Sequence, residues 1–209
     1  MKIVSTGVYY ALALCAAGAL LFWLAAPLGG SWLAAVMGLL ALFCLYFFRD
    51  PDRDIPSGPV AVSPADGKVV ALVPEGPLNR LSIFLNIFDV HVNRSPIGGT
   101  VDNVEYHPGK FMVASHEACS HDNEQTVLTV TGDGTTVVFK QIAGLIARRI
   151  VCTPKPGDLI ARGDRIGLIK FGSRCDVLFG PEWEIAVRPG QRVSAGSSVI
   201  ARRIQRNPR

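Results

Sequence analysis

Two long apolar runs open the chain, and no Asp, Glu, Lys or Arg occurs between Ile3 and Phe48. The first run covers residues 8–26 and the second covers residues 32–48. A helix needs about 20 apolar residues to cross the roughly 30 Å hydrocarbon layer of a bilayer. Each run is close to that length, so the pattern predicts a two-helix transmembrane hairpin that anchors the chain through residues 1–48.

Basic residues flank this hairpin on both sides. Lys2 precedes it and Arg49 and Arg53 follow it, whereas the connection at residues 27–31 carries no charge. Because basic flanks stay on the cytoplasmic side, we expect both chain ends in the cytoplasm, at the inner membrane of the cell. A cleaved signal peptide is the alternative, since Lys2 and an apolar core partly fit that pattern. The second apolar run favours a retained anchor, because it acts as a stop-transfer segment.

After the anchor, the pattern changes from long apolar runs to short ones. Residues 49–59 combine charges with three prolines and form a linker, since proline cannot continue a helix. Short runs rich in Val, Ile, Leu and Phe follow, and runs of this length between turn residues are typical of strands. The clearest of them cover residues 67–73, 81–88, 99–106, 126–131 and 135–142. The sequence therefore predicts a mainly β domain over residues 60–209.

One segment of this domain is repeated. Residues 155–167 and 188–200 share a Pro-Gly pair whose glycine is followed six residues later by another glycine. The spacing resembles the turns of biotinyl/lipoyl-type β-sandwiches, in which glycines form tight turns and apolar positions fill a thin core. We therefore expect a β-sandwich of the barrel-sandwich kind with a duplicated half.

The composition indicates which kinds of site the chain can form. The five cysteines are an odd number without a CxxC pair, which indicates a reducing compartment rather than a disulfide framework. The net charge is +4, and four of the last eight residues are arginines that can lie on anionic lipid headgroups. His116, Cys119, His121 and Glu124 mimic a zinc cluster, but their spacing matches no standard ligand arrangement. We expect no metal and no nucleic-acid partner.

The candidate chemistry centres on the bond between Gly172 and Ser173. A serine hydroxyl is a weak nucleophile, so Ser173 needs a base that removes its proton as it attacks. His91 is the candidate base, since it follows the strand predicted at residues 81–88. Asp66, in an Asp-Gly turn, is the candidate for fixing the tautomer of His91 and stabilising its imidazolium form. Together these residues predict a chain that cuts itself.

Six motifs, taken in order, then resemble those of a known family. After the apolar anchor come FFRDPDRDIP, SPADGKV, FDVHVNRSP, YHPGKF, NEQ and KFGSR. They resemble the short-form phosphatidylserine decarboxylase proenzymes over essentially the full chain. The resemblance implies autocatalytic cleavage between Gly172 and Ser173, and a heterodimer of residues 1–172 and 173–209, with further oligomerisation left open.

The resemblance also implies a cofactor and an activity. Ser173 becomes a covalent pyruvoyl group, so that no exogenous cofactor is needed. Phosphatidylserine then forms a Schiff base with this group, which accepts the electron pair released as CO₂ departs, and phosphatidylethanolamine is the product. His91 is the base for self-cleavage and Asp66 orients it.

Two positions depart from the family pattern. In longer family members a second histidine lies three residues after the one matching His91, and Arg94 stands there in this chain. Arg94 is a poor proton donor but a good phosphate or carboxylate ligand, which makes it a candidate for binding substrate. His107, in the YHPGKF motif, is the second such candidate. The family's NER segment reads NEQ at residues 123–125, which puts a local ion pair in doubt.

Two other functions stay open at this point. A membrane-tethered biotinyl/lipoyl-like β-sandwich adaptor without catalysis predicts no cleavage and a modified lysine such as Lys68. A decarboxylase of another serine-headgroup lipid, such as archaetidylserine, would use the same headgroup chemistry. The sequence cannot separate that enzyme from a phosphatidylserine decarboxylase.

Overall fold

The computed structural model describes residues 2–25, 31–114, 117–145, 149–170 and 172–204. The chain divides into two compact units, Met1–Asp52 and Arg53–Arg209. Helices dominate the first unit and strands dominate the second. The prediction of a mainly β protein with N-terminal helices is therefore confirmed.

The N-terminal unit is a pair of apolar helices. Helix α1 covers Ser5–Ala25 and helix α2 covers Ser31–Phe47, close to the two apolar runs of the sequence. The short strands β1 (Lys2–Ile3) and β2 (Arg49–Asp50) flank them and pair antiparallel. In the described part of the chain, one helical stretch, Ser5–Leu24, is long and apolar enough to cross a membrane by length and composition. Helix α2, with 17 residues, is shorter.

The two helices lie side by side. A Cβ placed on Gly18 of α1 would lie only 3.1 Å from the Cβ of Met37 on α2, so a small residue permits the close approach. Large apolar side chains, among them Trp23, Trp32 and Leu39, are exposed on the outside of the pair. A helix whose exterior is apolar suits a lipid environment better than water. The N-terminal unit is consistent with membrane association.

The C-terminal unit consists of short strands and one short helix among its described residues. In chain order the strands are β3 (Val60–Val62), β4 (Gly67–Glu75), β5 (Leu78–Leu85), β6 (Val92–Arg94), β7 (Gly99–His107), β8 (Gln125–Gly132), β9 (Thr135–Ile142), β10 (Ile150–Cys152), β11 (Leu159–Ile160), β12 (Arg165–Ile169), β13 (Ser173–Phe179), β14 (Trp183–Ile185), β15 (Arg192–Val193) and β16 (Val199–Arg203). Helix α3 (Cys119–Asp122) precedes β8.

Eight of these strands form one antiparallel sheet that curls into a half-barrel. Their order is β11-β7-β8-β9-β13-β5-β4-β15. Strand β13 lies inside the sheet, where Ser173 is opposite Leu85 on β5 and Arg174 is opposite Ile142 on β9. Two three-stranded sheets, β10-β12-β6 and β14-β16-β3, complete the unit. The start of β13 is therefore bound on both sides by neighbouring strands.

The two faces of β13 carry different chemistry. Successive side chains of a strand point to opposite faces of the sheet. Val177 and Phe179 belong to the apolar core on one face. Arg174 and Asp176 lie on the other face and are equally buried, because residues 117–120 cover them. The sheet thus separates an apolar core from a buried layer of charges.

The two repeated segments of the sequence occupy corresponding positions at opposite edges of this sheet. Gly157 and Gly190 both have φ of +93°, a left-handed conformation that glycine adopts without strain. The N–H of Gly157 donates to the Val101 carbonyl on β7, and the N–H of Gly190 donates to the Val69 carbonyl on β4. After each Pro-Gly pair the chain continues as an edge strand, β11 beside β7 and β15 beside β4.

Candidate active site

Ser173 begins a strand in the middle of the main sheet. Strand β12 ends at Ile169, and Gly172 connects to β13 with φ of +68°, a left-handed conformation in which a side chain is strained. Ser173 is fully buried, and its Oγ makes no hydrogen bond within the described residues. A buried hydroxyl without a hydrogen-bond partner lowers the free energy of unfolding by about 1–3 kcal/mol. A serine at this place therefore reduces stability, which suggests that it is kept for a function.

His91 lies beside the bond between Gly172 and Ser173. Its Nε2 accepts a hydrogen bond from the Gly172 backbone N–H at 3.3 Å, and its Nδ1 lies 2.9 Å from the Asp89 carbonyl oxygen. A carbonyl oxygen only accepts, so the hydrogen-bond pattern assigns the proton to Nδ1 and leaves the lone pair on Nε2. His91 is only 2% exposed. The site therefore presents a neutral, buried base to the backbone at residue 172.

A turn between β5 and β6 positions this histidine. The Asn86 N–H donates to the Asp89 carboxylate at 2.9 Å, and the Asp89 N–H donates to the Asn86 carbonyl at 3.0 Å. Arg192 forms an ion pair with the same carboxylate. On the far side, the carbonyl of His91 accepts from the Ile169 N–H at 3.3 Å. The imidazole is thus placed by backbone groups that precede and follow it.

Asp66 is bound to partners other than His91. Its carboxylate accepts two hydrogen bonds from Arg53 Nη2, at 2.9 and 2.8 Å, and one from the Ala195 N–H at 2.7 Å. Within the described residues no hydrogen bond joins it to His91, and the orienting role of Asp66 stays a prediction. The Asp89 carbonyl, which does contact Nδ1, was missed by the sequence analysis because residue type carries no information about a backbone oxygen.

The two predicted substrate-binding residues lie in different surroundings. Arg94 is 5% exposed, and its Nη1 donates to the Gly163 carbonyl at 3.0 Å. His107 is half-exposed at the end of β7, with Nε2 3.2 Å from a Glu105 carboxylate oxygen. In the part of the chain that the structure describes, neither residue is hydrogen-bonded to the predicted cleavage bond. Their roles in binding substrate stay predictions.

A network of buried charges lies on the outer face of β13. The fully buried Arg174 donates through Nε to Asp176 at 2.7 Å and through Nη2 to Ser82 Oγ at 2.6 Å. Arg80 donates to the same serine and the same carboxylate at 3.0 and 3.4 Å, and Glu117 bridges both arginines. Burial acts to lower the pKa of Arg174, but the Asp176 carboxylate together with Cys119 and Glu117 outweighs it, and the pKa is raised. The guanidinium therefore stays charged and fixes the start of β13.

Cys175 and the zinc-like cluster of the sequence are further candidates for reactive groups. Burial raises the pKa of the Cys175 thiol well above its ordinary value, and Asp176 adds to the effect. The thiol stays protonated and is a poor nucleophile. His116, one member of the zinc-like cluster in the sequence, lies outside the described residues. Among the residues that the structure describes, no group of three or more His, Cys, Asp or Glu side chains is arranged to hold a metal ion.

The arrangement combines the parts of an intramolecular acyl transfer. Ser173 supplies a buried hydroxyl, and His91 supplies a base with a defined tautomer that is bonded to the backbone N–H of Gly172. A nucleophile, a base and a group that orients the base are the usual parts of such a site. The Asp89 carbonyl contacts Nδ1 of His91 and can act as such a group.

Comparisons with known proteins identify the family. A model of the family named phosphatidylserine decarboxylase matches residues 40–201. A phosphatidylserine decarboxylase proenzyme from Solibacter usitatus (strain Ellin6076) is 75% identical over 206 residues, which cover 99% of each chain. Proenzymes of the same name from Symbiobacterium thermophilum and Oleidesulfovibrio alaskensis are 49% and 47% identical over 81% of this chain and 83% and 82% of their own. The resemblance carried by the six motifs is confirmed, and the chain belongs to the phosphatidylserine decarboxylase family.

Proposed function

We propose that the chain is a proenzyme that cuts itself between Gly172 and Ser173 and then decarboxylates phosphatidylserine to phosphatidylethanolamine and CO₂. The observation that carries this proposal is the hydrogen bond from the Gly172 N–H to Nε2 of His91, next to a Ser173 hydroxyl that has no hydrogen-bond partner among the described residues. The relative that is 75% identical over nearly the full chain bears the name phosphatidylserine decarboxylase proenzyme, which supports the same activity.

His91 supplies the base for the first step. Its Nε2 exchanges the Gly172 N–H for the hydroxyl of Ser173 and takes the hydroxyl proton. The Ser173 Oγ forms a bond to the Gly172 carbonyl carbon, while the bond between that carbon and the Ser173 nitrogen breaks. The proton held by His91 passes to the released nitrogen. The peptide bond has then become an ester.

Elimination completes the cleavage. Loss of the Cα proton of Ser173 expels Oγ as part of the Gly172 carboxylate and leaves a carbon–carbon double bond at residue 173. Tautomerisation turns Cβ into a methyl group and Cα into an imine, and hydrolysis by one water molecule then releases ammonia and leaves a ketone oxygen on Cα in place of the nitrogen. The products are the chains 1–172 and 173–209.

The surroundings of residue 173 fit a pyruvoyl group. The Ser173 Oγ has no hydrogen-bond partner within the described residues, so conversion of the side chain breaks no contact there. Pairing of β13 with both β5 and β9 holds the new N-terminus in place. Once formed, the group supplies an electrophilic carbonyl that binds the substrate amine and accepts electrons as CO₂ leaves.

The remaining site residues have supporting roles in this proposal. Arg94 and His107 are the candidates for binding the phosphate or carboxylate of the substrate, since a guanidinium and an imidazole N–H can both donate hydrogen bonds to anionic oxygens. Asp66 is the candidate for orienting His91. Its carboxylate, in the SPADGKV turn, is held by its bonds to Arg53 and Ala195.

We infer that the two chains stay together after cleavage. The smaller chain carries β13 to β16, and β13 lies between two strands of the larger chain. Both its register with β5, from Ser173 to Phe179, and its register with β9 survive the loss of one peptide bond. A heterodimer is therefore the functional unit, and further oligomerisation is compatible with it.

We also propose an anchored arrangement of the whole chain. Residues 1–48 form a transmembrane hairpin in the inner membrane, residues 49–59 form a linker, and residues 60–209 form the cytoplasmic decarboxylase domain. The apolar exterior of α1 and α2 and the basic flanks Lys2 and Arg49 support this orientation. The corresponding bonds of Gly157 and Gly190 at opposite sheet edges support a barrel-sandwich-like domain with a duplicated half.

Mass spectrometry of the purified full chain in detergent tests the proposal. The expected result is two fragments, the smaller of them beginning at residue 173 with a pyruvoyl group, and release of CO₂ from vesicles that contain phosphatidylserine. Ser173→Ala should give one uncut, inactive chain. An intact, unmodified wild-type chain of 22.4 kDa, as a membrane-tethered adaptor would give, overturns the proposal. Activity on archaetidylserine vesicles alone would move the substrate assignment to that lipid.

A further inference from the structure

The carbonyl group of Gly172 rests on Gly144. Gly144 lies two residues after the end of β9, on the loop that follows this strand. A Cβ built on Gly144 would lie 2.1 Å from the Gly172 carbonyl oxygen and 3.1 Å from its carbonyl carbon. Real Cβ atoms do not approach other atoms within 3.0 Å, so a side chain at position 144 must displace the carbonyl or the loop. The absence of a side chain makes room for the bond that is cut.

Backbone conformation does not explain the glycine at this position. Gly172 has φ of +68°, but Gly144 is not among the glycines with positive φ. An L-residue at position 144 would therefore not meet the strain that a positive φ imposes. What excludes a side chain there is the Gly172 carbonyl itself.

Asn123, the first residue of the NEQ motif, holds the loop that carries Gly144. Its side chain is buried, and its Nδ2 donates to the Ala143 carbonyl at 2.8 Å and to the Met112 carbonyl at 2.9 Å. Its Oδ1 accepts from the Met112 N–H at 3.0 Å. One carboxamide thus ties the residue before Gly144 to a second segment of the chain.

Contacts on the other sides leave the loop little freedom to move. The Ala143 N–H donates to the Glu124 carbonyl at 2.9 Å. A Cβ on Gly144 would also lie 3.3 Å from the Cβ of Ala114, which is itself buried. A side chain at position 144 is therefore confined between Ala114 and the Gly172 carbonyl. The carbonyl, at a break between two strands, is the part that can give way.

We propose that Gly144, held by Asn123, is a positioning residue for self-cleavage, because its bare Cα seats the Gly172 carbonyl where the Ser173 hydroxyl attacks it. This inference rests on the proposed self-cleavage. A methyl group at position 144 displaces the carbonyl by about 1 Å, and a misplacement of that size costs a reaction roughly 100-fold in rate. Asn123 is a positioning residue by the same argument, because it holds the loop that carries Gly144.

The test compares Gly144→Ala with a matched control, Gly132→Ala. Gly132 is not among the glycines with positive φ either, and a Cβ on it would lie 2.0 Å from the Gly98 carbonyl oxygen. Gly132 lies at the opposite end of β8 from Asn123, so this change adds the same atom against a carbonyl group away from the cleavage bond. Both substitutions therefore place one methyl group against a backbone carbonyl oxygen.

The full chain is made by cell-free translation with detergent, and its cleavage is followed over time on gels and by mass spectrometry. We expect Gly132→Ala to be cut at the wild-type rate and Gly144→Ala to be cut about 100-fold more slowly or not at all. Thermal unfolding of both variants, in a Ser173→Ala background that remains uncut, measures whether their losses of stability are similar.

Hydroxylamine identifies the step that fails. It attacks the Gly172 carbonyl of an ester, forms a hydroxamate there and releases the Ser173 hydroxyl, so it cuts a chain that has completed the first step. A misplaced carbonyl prevents that step. Gly144→Ala should therefore stay uncut in neutral hydroxylamine, whereas a variant that fails only at the elimination step would be cut.

Three outcomes overturn the inference: cleavage of Gly144→Ala at the wild-type rate, equal slowing in Gly132→Ala, or hydroxylamine cutting of the Gly144→Ala chain.

If Gly144→Ala does not fold, Asn123→Ser is the deciding variant, because it adds no atom and releases the Ala143 carbonyl. Slow cleavage of a folded Asn123→Ser chain supports the role of the loop, and wild-type cleavage overturns it. An uncut wild-type chain overturns the proposed function, and the inference with it.

Discussion

The backbone N–H of Gly172 donates a hydrogen bond to Nε2 of His91 over 3.3 Å. This bond occupies the lone pair that must later receive the hydroxyl proton of Ser173. The imidazole can therefore act as a base only after it exchanges one donor for the other. The same bond holds the residue that is cut next to the base, so holding and base catalysis are two separable properties of His91.

Replacement of His91 by Gln separates these two properties. The amide oxygen of Gln can still accept a hydrogen bond from the Gly172 N–H, but it cannot take up a proton at neutral pH. General bases contribute about 100-fold to 10,000-fold to a rate, so we expect His91→Gln to remain uncut on the time scale of wild-type cleavage. The ratio of cut to uncut chain on gels measures this.

The control is the stability of two variants, His91→Gln and His91→Ala. Both should stay uncut, but only His91→Ala loses the acceptor for the Gly172 N–H, so it should be the less stable of the two. Rapid cleavage of His91→Gln would show that another group removes the proton of Ser173.

The sequence predicts strands best where the turns that bound them are short. Strand β9, Thr135–Ile142, has the predicted bounds, because a tight turn at residues 133–134 precedes it. The strand predicted at residues 81–88 ends earlier, at Leu85. Ile87 and Phe88 look like strand residues in the pattern, but side-chain bonds of Asn86 and Asp89 form a turn there.

The site was predictable as a set of residue types but not as a set of contacts. The side chains of Ser173 and His91 are a nucleophile and a base, which the sequence alone shows. The structure brings His91 next to Gly172. The Asp89 carbonyl and the bare Cα of Gly144 act through backbone atoms, which every residue possesses. Only the fold reveals which backbone atoms meet, so the sequence could point to the Asp66 carboxylate but not to the Asp89 carbonyl.

Asp66 and Arg53 offer a test of that assignment. If Asp66 orients His91 during cleavage, Asp66→Asn slows cleavage and Arg53→Met does not, since Met removes only the cation paired with the carboxylate. If Asp66 acts by tying Arg53 to the turn at Ala195, the two variants slow cleavage equally. We expect the first result, with Asp66→Asn slower by about 100-fold or more, the size of the contribution of a general base. Equal rates for the two variants would contradict the orienting role. Initial cleavage rates of the full chain supply the measurement.

The buried charges on the outer face of β13 predict a large effect on stability. Asp176 is fully buried and accepts from Arg174 and from the Ser120 hydroxyl, at 2.7 Å in both cases. Removal of one partner leaves a buried charge without compensation and costs about 3–5 kcal/mol. Asp176→Ala should lower the free energy of unfolding by that amount, measured by urea titration of an uncut Ser173→Ala chain.

An exposed ion pair is the control for this effect. Lys110 and Asp122 lie 3.1 Å apart with side chains 71% and 45% exposed. Exposed pairs contribute about 0–1 kcal/mol, so Lys110→Ala should change the free energy of unfolding little. A loss for Asp176→Ala as small as that for Lys110→Ala would contradict the structural role of the network.

The position of β13 predicts how the cut protein unfolds. The smaller chain contributes a strand between β5 and β9, so the two chains should elute together under native conditions and separate only on unfolding. Unfolding of the cut protein releases two chains, and its midpoint temperature should therefore rise with protein concentration. The uncut Ser173→Ala chain unfolds as one molecule, and its midpoint temperature should not depend on concentration.

At low concentration the uncut chain should also be the more stable of the two, because the covalent link removes the entropy of separating the chains. Loss of residues 173–209 during native gel filtration, or a cut protein whose midpoint is the same at every concentration, would mean that this strand does not hold the heterodimer together.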